Sequence, residues 1–125
     1  MIDGINGLSQ RVIGAAIEVH RVLGPGYLES VYEEALGVEL AQRAIPYSRQ
    51  HIISLNYKGA TIGEARLDFL IDDRLVVELK AVDEFHPVHT AQVISYLRAT
   101  RLNLGLLINF NVKILKTGIR RVILD

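Results

Sequence analysis

The sequence predicts an α/β fold in which helices pack on a mixed β-sheet. Apolar residues recur at helical spacing in two N-terminal segments, and the period changes to two after Ile45-Pro46. A third helical segment, which starts near Pro87, separates two strand-like runs. Because a right-handed crossover normally joins such strands, this pair should be parallel. The expected order is two helices, three strands, one helix and two strands.

The first two predicted helices are separated by Gly24-Pro25-Gly26. Proline lacks a backbone donor and glycine permits positive φ, so this segment should end the first helix, residues 8–23, for which Ser9 is a reasonable N-cap. The inner stripe of that helix is expected to contain Val12, Ile13, Ala16, Ile17, His20 and Leu23. The second helix is expected at about 28–44, with an apolar face made of Leu28, Val31, Tyr32, Ala35, Leu36 and Leu40.

Length and composition are those of one domain, which we assign to residues 1–125. The chain has no cysteine, which excludes disulfides and thiolate metal sites and favours a reducing compartment. Its apolar runs are far too short to span a bilayer. The N-terminus, Met1-Ile2-Asp3-Gly4, lacks the basic and apolar regions of a secretion signal. We therefore expect a cytoplasmic protein with no membrane partner.

The charges are divided unevenly along the chain. The net charge is zero, from 14 basic and 14 acidic residues, yet Asp125 is the one acid after residue 85. The bases of that region are Arg98, Arg101, Lys113, Lys116, Arg120 and Arg121. Such a division can present one basic face to nucleic acid. The alternative is that these side chains solubilise the outside of the last helix and strand.

The third predicted strand, residues 74–80, carries two opposite charges on an otherwise apolar segment. Alternation turns Leu75, Val77 and Leu79 to one face, and Val76, Glu78 and Lys80 to the other. In the preceding strand the same rule places Ala65, Leu67, Phe69 and Ile71 on one face, and Arg66, Asp68 and Leu70 on the other. A Glu-x-Lys pair alone is common and is compatible with an ion pair on an edge strand.

Pairing of Asp68 with Glu78 would bring two acids onto one surface. Directly opposed residues have Cβ atoms about 4.5–5.5 Å apart. Two carboxylates at that separation cannot both stay ionised without a cation between them, and Mg²⁺ suits carboxylate oxygens. This register requires Ile71 opposite Leu75 and a three-residue loop, Asp72-Asp73-Arg74. A two-residue turn would separate the two acids.

Asp68, followed one hairpin later by Glu78-Leu79-Lys80, resembles the signature of the PD-(D/E)XK nuclease superfamily. Residues 26–32, GYLESVY, resemble the Gly-x-x-Glu-x-x-Tyr motif of a small family within that superfamily. The stretches "GPGYLESVYEEAL", "VVELKAV" and "GLLINFNV" follow in the expected order. The proline of the superfamily name is absent, since Leu67 precedes Asp68. The resemblance implies a restriction-endonuclease-like mixed sheet flanked by helices, in the order ααβββαββ.

The resemblance also implies roles for the residues of this motif. Asp68 and Glu78 would bind Mg²⁺, with Mn²⁺ as a possible substitute, and the Leu79 carbonyl would be a third ligand. Lys80 would position or help deprotonate the attacking water. Glu29 would supply a further acid from the second helix, although complementing the helix terminus is its ordinary alternative role. Glu33, one turn later, is a weaker candidate.

Further candidates lie on the helices. Gln92 and Tyr96 resemble an extra motif of the RecB-type branch that orders the active site and contacts DNA, and His89 shares their stripe; a half-wet helix edge is the alternative. Some RecB-type relatives bind metal through a histidine of the N-terminal helices. His20 could take that role, but a core histidine is the commoner arrangement. Tyr32 is expected in the core with its hydroxyl near the site.

These features together predict metal-dependent hydrolysis of nucleic-acid phosphodiester bonds, with DNA as the favoured substrate. Arg98 and Arg101 would line the substrate face. Because the net charge is zero, a homodimer or a partner protein that delivers the substrate would strengthen binding. Two alternatives remain. The chain could be a non-catalytic nucleic-acid-binding or scaffold module, or Asp68, Glu78 and Lys80 could form a closed salt-bridge cluster.

Overall fold

The computed structural model describes residues 4–125, so the part of the N-terminal expectation that concerns residues 1–3 lies outside the described residues. The helices are α1 (Ile5–Leu23), α2 (Glu29–Gln42) and α3 (Pro87–Thr100). The strands are β1 (Tyr47–Tyr57), β2 (Ala60–Ile71), β3 (Leu75–Lys80), β4 (Leu104–Asn109) and β5 (Ile119–Ile123). A short 3-10 helix, Leu115–Gly118, precedes β5. The predicted α/β class and the order ααβββαββ are confirmed.

The five strands form one mixed sheet in the order β1-β2-β3-β4-β5. The pairs β1–β2, β2–β3 and β4–β5 are antiparallel, and β3–β4 is parallel. Helix α3 makes the crossover between β3 and β4, as the sequence predicts. Both faces of β3 and β4 are covered, which explains why these two strands are almost wholly apolar.

Helices cover the sheet on both faces. On one face, which we call the α1–α2 face, Tyr32 stacks on Phe110 with ring centroids 4.6 Å apart. On the opposite α3 face, Val93 and Leu97 pack on the sheet. A Cβ atom at Gly105 would lie 2.7 Å from Val93, so this glycine allows the close approach of α3. No helix within residues 4–125 is both long enough and apolar enough to cross a membrane.

Helix α1 begins earlier than the sequence predicts. Its first residue is Ile5 and its N-cap is Gly4, so the assignment of Ser9 as N-cap is wrong. Ser9 is buried inside the helix, where its hydroxyl donates to the Asn6 carbonyl at 3.0 Å. The extra turn forms because Leu8 packs in the core. Ile17, which was expected on the inner stripe, is 44% exposed.

The β1–β2 hairpin changes face half-way along its length. Gln50 has a left-handed backbone, with φ of 49°, and the regular alternation is interrupted there. Phe69 packs on the α1–α2 face, whereas Leu67 and Ala65 pack on the α3 face. The expectation that Leu67 shares a face with Phe69 is therefore wrong. The outer half of the hairpin, residues 51–67, lies over α3, and we call it the β1–β2 arm.

Candidate functional site

The loop between β2 and β3 sets the register of the two strands. Ile71 pairs with Leu75 and Phe69 pairs with Val77, which leaves Asp72, Asp73 and Arg74 as the loop. The predicted register and loop length are both confirmed. Asp72 and Asp73 adopt positive φ, a conformation that aspartate tolerates better than most residues. The turn chemistry therefore agrees with the register that brings Asp68 and Glu78 together.

Beyond Phe69 the backbone ladder between β2 and β3 stops, and two carboxylates take its place. The backbone N–H of Asp68 donates to Oε1 of Glu78 at 2.8 Å. The backbone N–H of Leu79 donates to Oδ2 of Asp68 at 2.8 Å. Each acid thus binds the opposite strand through one oxygen. The second oxygen of each carboxylate, Oδ1 of Asp68 and Oε2 of Glu78, accepts no backbone hydrogen bond from residues 4–125.

Burial raises the affinity of both acids for protons. Burial raises the pKa of Glu78 to about 8, and the negative charge of Asp68 adds to the rise. Burial also raises the pKa of Asp68, although the hydrogen bond from the Leu79 amide opposes this. Glu78 is only 3% exposed. The metal-free pair therefore retains a proton at neutral pH, and a divalent cation would replace that proton.

Lys80 supplies the positive charge of the site. It is the last residue of β3 and is half-buried. Burial raises the pKa of both Asp68 and Glu78, and the positive charge of Lys80 opposes this rise because it favours the ionised carboxylates. No acid within residues 4–125 lies within 4 Å of its ammonium, so the closed salt-bridge cluster does not form. Lys80 is close to the acids and remains able to contact a further anion.

Glu29 faces the same group of charges from the first residue of α2. Burial raises the pKa of its carboxyl group, the positive Lys80 opposes this rise, and the negative Asp68 adds to it. Four charged side chains from three elements, α2, β2 and β3, therefore share one electrostatic site. They are Glu29, Asp68, Glu78 and Lys80.

The comparison with known families agrees with this geometry. A family model described as the PD-(D/E)XK nuclease superfamily matches residues 6–122. The chain belongs to this superfamily. Its α/β fold is consistent with a restriction-endonuclease-like architecture. PD-(D/E)XK nucleases generally use divalent metals, and the superfamily implies a nucleic-acid substrate. No curated protein and no solved structure gives a significant match.

In this member of the PD-(D/E)XK superfamily, Tyr32 holds the loop that precedes Glu29 through two hydrogen bonds. The Tyr32 hydroxyl donates to the Gly24 carbonyl at 2.6 Å and accepts from the Tyr27 amide at 3.1 Å. The ring of Tyr32 is fully buried and stacks on Phe110. Tyr32 is thus in the core, as expected, with its hydroxyl on the 24–27 loop. It determines where α2 begins and hence where Glu29 lies.

We expect Tyr32→Phe to lower the free energy of unfolding by about 1–3 kcal/mol, because the Gly24 carbonyl and the Tyr27 amide both lose a partly buried partner. Urea denaturation measures this loss. The matched control is Tyr57→Phe at the exposed hairpin tip, which should change stability by less than about 0.5 kcal/mol. Equal effects of the two substitutions would show that the Tyr32 hydroxyl does not hold the loop.

Two residues of β1 that the sequence pattern did not indicate support the acidic site. Both oxygens of Glu33 are bound, one by Arg49 Nη2 and one by Gln50 Nε2, each at 2.7 Å. Gln50 Nε2 also approaches Oδ1 of Asp68 at 3.5 Å. Glu33, a weak candidate ligand, is therefore occupied in positioning Gln50. The polar stretch "SRQH" at the start of β1 was the available signal.

Asn109 is a third residue of the site that the sequence pattern did not indicate. It is 2% exposed and pairs with Lys80 across the parallel ladder. Its side chain donates to the Val82 carbonyl at 2.8 Å and accepts from the Val82 amide at 3.0 Å. Asn109 therefore holds the chain directly after Lys80. The signal was an asparagine at the end of an otherwise apolar strand.

Helix α3 brings three predicted side chains toward the acids. Burial raises the pKa of the Tyr96 hydroxyl, and the negative Glu78 adds to the rise, while a hydrogen bond with Gln92 lowers it. Burial lowers the pKa of His89, and the nearby Lys80 lowers it further. Gln92, Tyr96 and His89 are therefore neighbours of the site. Their roles in catalysis stay predictions.

His20 occupies the core position that was the alternative to metal binding. Its ring Nε2 donates to the Val112 carbonyl at 2.8 Å, and the ring lies beside Phe110 with centroids 6.4 Å apart. The residue is 8% exposed. This arrangement is that of a buried histidine with a satisfied ring nitrogen.

The acids fit a small, hard cation. Mg²⁺ commonly takes one or two carboxylates and keeps several waters or substrate oxygens, which matches the two neighbouring carboxylates of Asp68 and Glu78. No group of three or more His, Asp or Glu side chains within residues 4–125 is close enough to hold an ion. Coordination of the cation by Glu29 stays a prediction. Coordination by the Leu79 carbonyl stays a prediction.

Proposed function

We propose that the chain is a Mg²⁺-dependent nuclease that hydrolyses nucleic-acid phosphodiester bonds and prefers DNA. Mn²⁺ would substitute for Mg²⁺. The single observation that carries this proposal is the opening between β2 and β3. There, the buried Glu78 and the half-buried Asp68 replace the backbone ladder and lie beside Lys80.

The proposed roles follow from the chemistry of the side chains. Asp68 and Glu78 would hold the cation, which would lower the pKa of water and offset negative charge on the phosphate. Lys80 orients the attacking water and offsets charge on the scissile phosphate. Glu29 would supply a further acid to the metal from the first residue of α2. Gln92 holds Tyr96 and orders the α3 wall of the site.

We further propose that the chain belongs to the small family with the Gly-x-x-Glu-x-x-Tyr motif and resembles the RecB-type branch. The contacts of Tyr32 with Gly24 and Tyr27 supply a physical reason for the spacing of the first motif. The neighbouring positions of Gln92 and Tyr96 support the second resemblance.

We propose residues 1–125 as a single domain that works in the cytoplasm. The zero net charge gives a monomer little long-range attraction for DNA. A homodimer, or a partner protein that delivers the substrate, would supply the missing affinity. Arg98 and Arg101, near the end of α3, would contact the substrate backbone.

Incubation of the purified protein with labelled DNA and RNA tests the proposed activity. Duplex, single-stranded and flapped substrates are compared in Mg²⁺, Mn²⁺ and EDTA. We expect cleavage with metal, none in EDTA, and a loss of about 10²-fold or more in Asp68→Asn, because the amide cannot hold the cation as a carboxylate does. Asn can still accept the Leu79 amide bond, so the fold should survive.

The matched control is Asp73→Asn, in the exposed β2–β3 loop, which should cleave at the wild-type rate. Metal-dependent cleavage that persists in Asp68→Asn would refute the assignment of the site. Binding of nucleic acid with no cleavage under any condition would favour the scaffold alternative.

A further inference from the structure

A cleft of about 410 Å³ lies between the β1–β2 arm and the C-terminal half of α3. From the arm it is lined by Ser54 and Asn56, and from α3 by Ser95, Ala99 and the guanidinium-bearing Arg98 and Arg101. Cavities of about 300–1,000 Å³ typically hold one small ligand. The volume of this cleft therefore suits one nucleotide.

The cleft continues the α3 wall of the acidic site. Ser95 and Tyr96 lie three and four residues after Gln92, and Ala99 lies four and three residues after them, so the four residues share one stripe of the helix. Gln92 and Tyr96 are neighbours of the carboxylates, whereas Ser95 and Ala99 line the cleft. Seven residues of helix span about 10 Å, which is the axial length of about three steps of one nucleic-acid strand. A strand that reacts at the acids therefore reaches the cleft within a few nucleotides.

The two arginines of the cleft suit a phosphate. Within residues 4–125, neither Arg98 nor Arg101 forms an ion pair with a carboxylate. Both are exposed at the surface. A guanidinium can bind phosphate oxygens through two parallel hydrogen bonds, which makes arginine well suited to phosphate recognition.

The remaining lining suits an unpaired base. The hydroxyls of Ser54 and Ser95 and the amide of Asn56 offer donors and acceptors, and Leu55 and Ala99 add apolar contact area. Only a base outside a duplex presents its Watson–Crick edge and its ring face to such groups. A concave lining with both kinds of contact favours a single nucleotide over a paired segment.

We infer that the cleft between the β1–β2 arm and α3 binds an unpaired nucleotide a few positions from the scissile bond. The substrate would then be DNA with a single-stranded segment beside the cleavage position, such as an overhang or a flap. This inference rests on the proposed nuclease function for its biological meaning. The binding that it predicts can be measured without cleavage.

Fluorescence anisotropy in EDTA tests the inference, with two labelled probes that share one duplex and differ by a single-stranded DNA overhang. We expect the wild type to bind the overhang probe more tightly. Arg98→Ala and Arg101→Ala should each lower affinity for that probe by about tenfold, the loss of one charged hydrogen-bonding group, and change blunt-duplex binding by less than about twofold. Each should also reduce the salt slope on the overhang probe by about 0.7.

Ala99→Phe is a second variant that fills the cleft and keeps its charges. Ala99 is exposed, so the fold should tolerate the larger side chain, and overhang preference should be lost. The matched control is Lys116→Ala, which removes one positive charge from the 3-10 helix on the α1–α2 face. It should retain overhang preference.

Three results would overturn the inference. They are absence of overhang preference in the wild type, equal weakening of both probes by the arginine variants, and unchanged preference in Ala99→Phe. Because the binding is measured in EDTA, the result does not depend on cleavage. An inactive protein that still prefers overhangs would refute only the proposed nuclease function. An active protein without that preference would refute only the binding of an unpaired nucleotide in the cleft.

Discussion

Lys80→Met should slow metal-dependent phosphodiester hydrolysis by about 10²–10⁴-fold, the usual contribution of a positioned proton-transfer group. Lys80 is half-buried at the end of β3, and its charge acts on Glu29, Asp68 and Glu78. Methionine keeps the unbranched apolar stem and removes the ammonium. The variant therefore loses the group that we assign to the water and the phosphate, while the two acids stay in place.

Metal binding should not be lost in Lys80→Met. Removal of a positive charge beside two carboxylates favours a divalent cation, so calorimetry with Mn²⁺ should give an affinity equal to or higher than that of the wild type. The slower hydrolysis should appear as a lower kcat. This combination distinguishes the role of Lys80 from that of a metal ligand, because loss of a ligand lowers both the metal affinity and the rate.

Lys116→Met, on the 3-10 helix before β5, is the matched control for the change of side chain. Its rate and metal affinity should equal those of the wild type. A Lys80→Met enzyme with nearly full activity would remove Lys80 from the mechanism. A variant that fails to bind Mn²⁺ would show that Lys80 instead maintains the shape of the site.

Glu78→Gln should have opposite effects on stability and on metal binding. In the unfolded chain a glutamate ionises near pH 4.3. In the folded, metal-free protein burial raises the pKa of Glu78 to about 8. Between these values the folded state binds a proton that the unfolded state has released, so stability falls as the pH rises. The contribution is complete below the lower value and is lost as the pH passes the upper one.

Glutamine removes this pH dependence because it does not ionise. It can still accept the hydrogen bond from the Asp68 amide through Oε1. Urea unfolding in EDTA at pH 5.5 and 8.5 measures the difference. From the lower to the higher pH, the wild type should lose about 2–3 kcal/mol more than Glu78→Gln. The raised pKa of Glu29 acts in the same direction in both proteins and cancels in the comparison.

A bound divalent cation should raise the free energy of unfolding of the wild type relative to that of Glu78→Gln. Mg²⁺ or Mn²⁺ should stabilise the wild type, and more strongly at pH 8.5, where the cation no longer displaces a proton. The Glu78→Gln variant should gain little and should not cleave. Glu64→Gln, at an exposed position of β2, is the matched control and should behave as the wild type does. A wild type whose stability is unaffected by either cation would contradict the metal site.

The periodicity of apolar residues and the residues of the turns predicted most of the fold, because both depend on short stretches of sequence. Gly24 and Gly26 adopt positive φ and end α1 where expected, and the three-residue loop sets the pairing of Ile71 with Leu75. The predictions that were wrong concern positions where packing outweighs local preference. Ser9 has the chemistry of an N-cap, but Leu8 is buried in the core and the helix extends past it.

The candidate site was predictable in part for the same reason. Asp68, Glu78 and Lys80 follow from strand alternation and loop length. Gln50 and Asn109 do not, because each acts through a contact with a residue distant in sequence: Gln50 reaches Glu33 and Asp68, and Asn109 reaches Val82. Such contacts leave no periodic signal in a single chain.

By itself the sequence determined the α/β class, the order of the elements and the two neighbouring strands that carry the acids, because periodicity and turn chemistry act over a few residues. The tertiary structure alone decided that β2 and β3 separate at Asp68, that the β1–β2 hairpin changes face at Gln50, and that a cleft opens beside Arg98. Those features depend on how the sheet twists and on which helix covers each face, and both result from packing between distant segments.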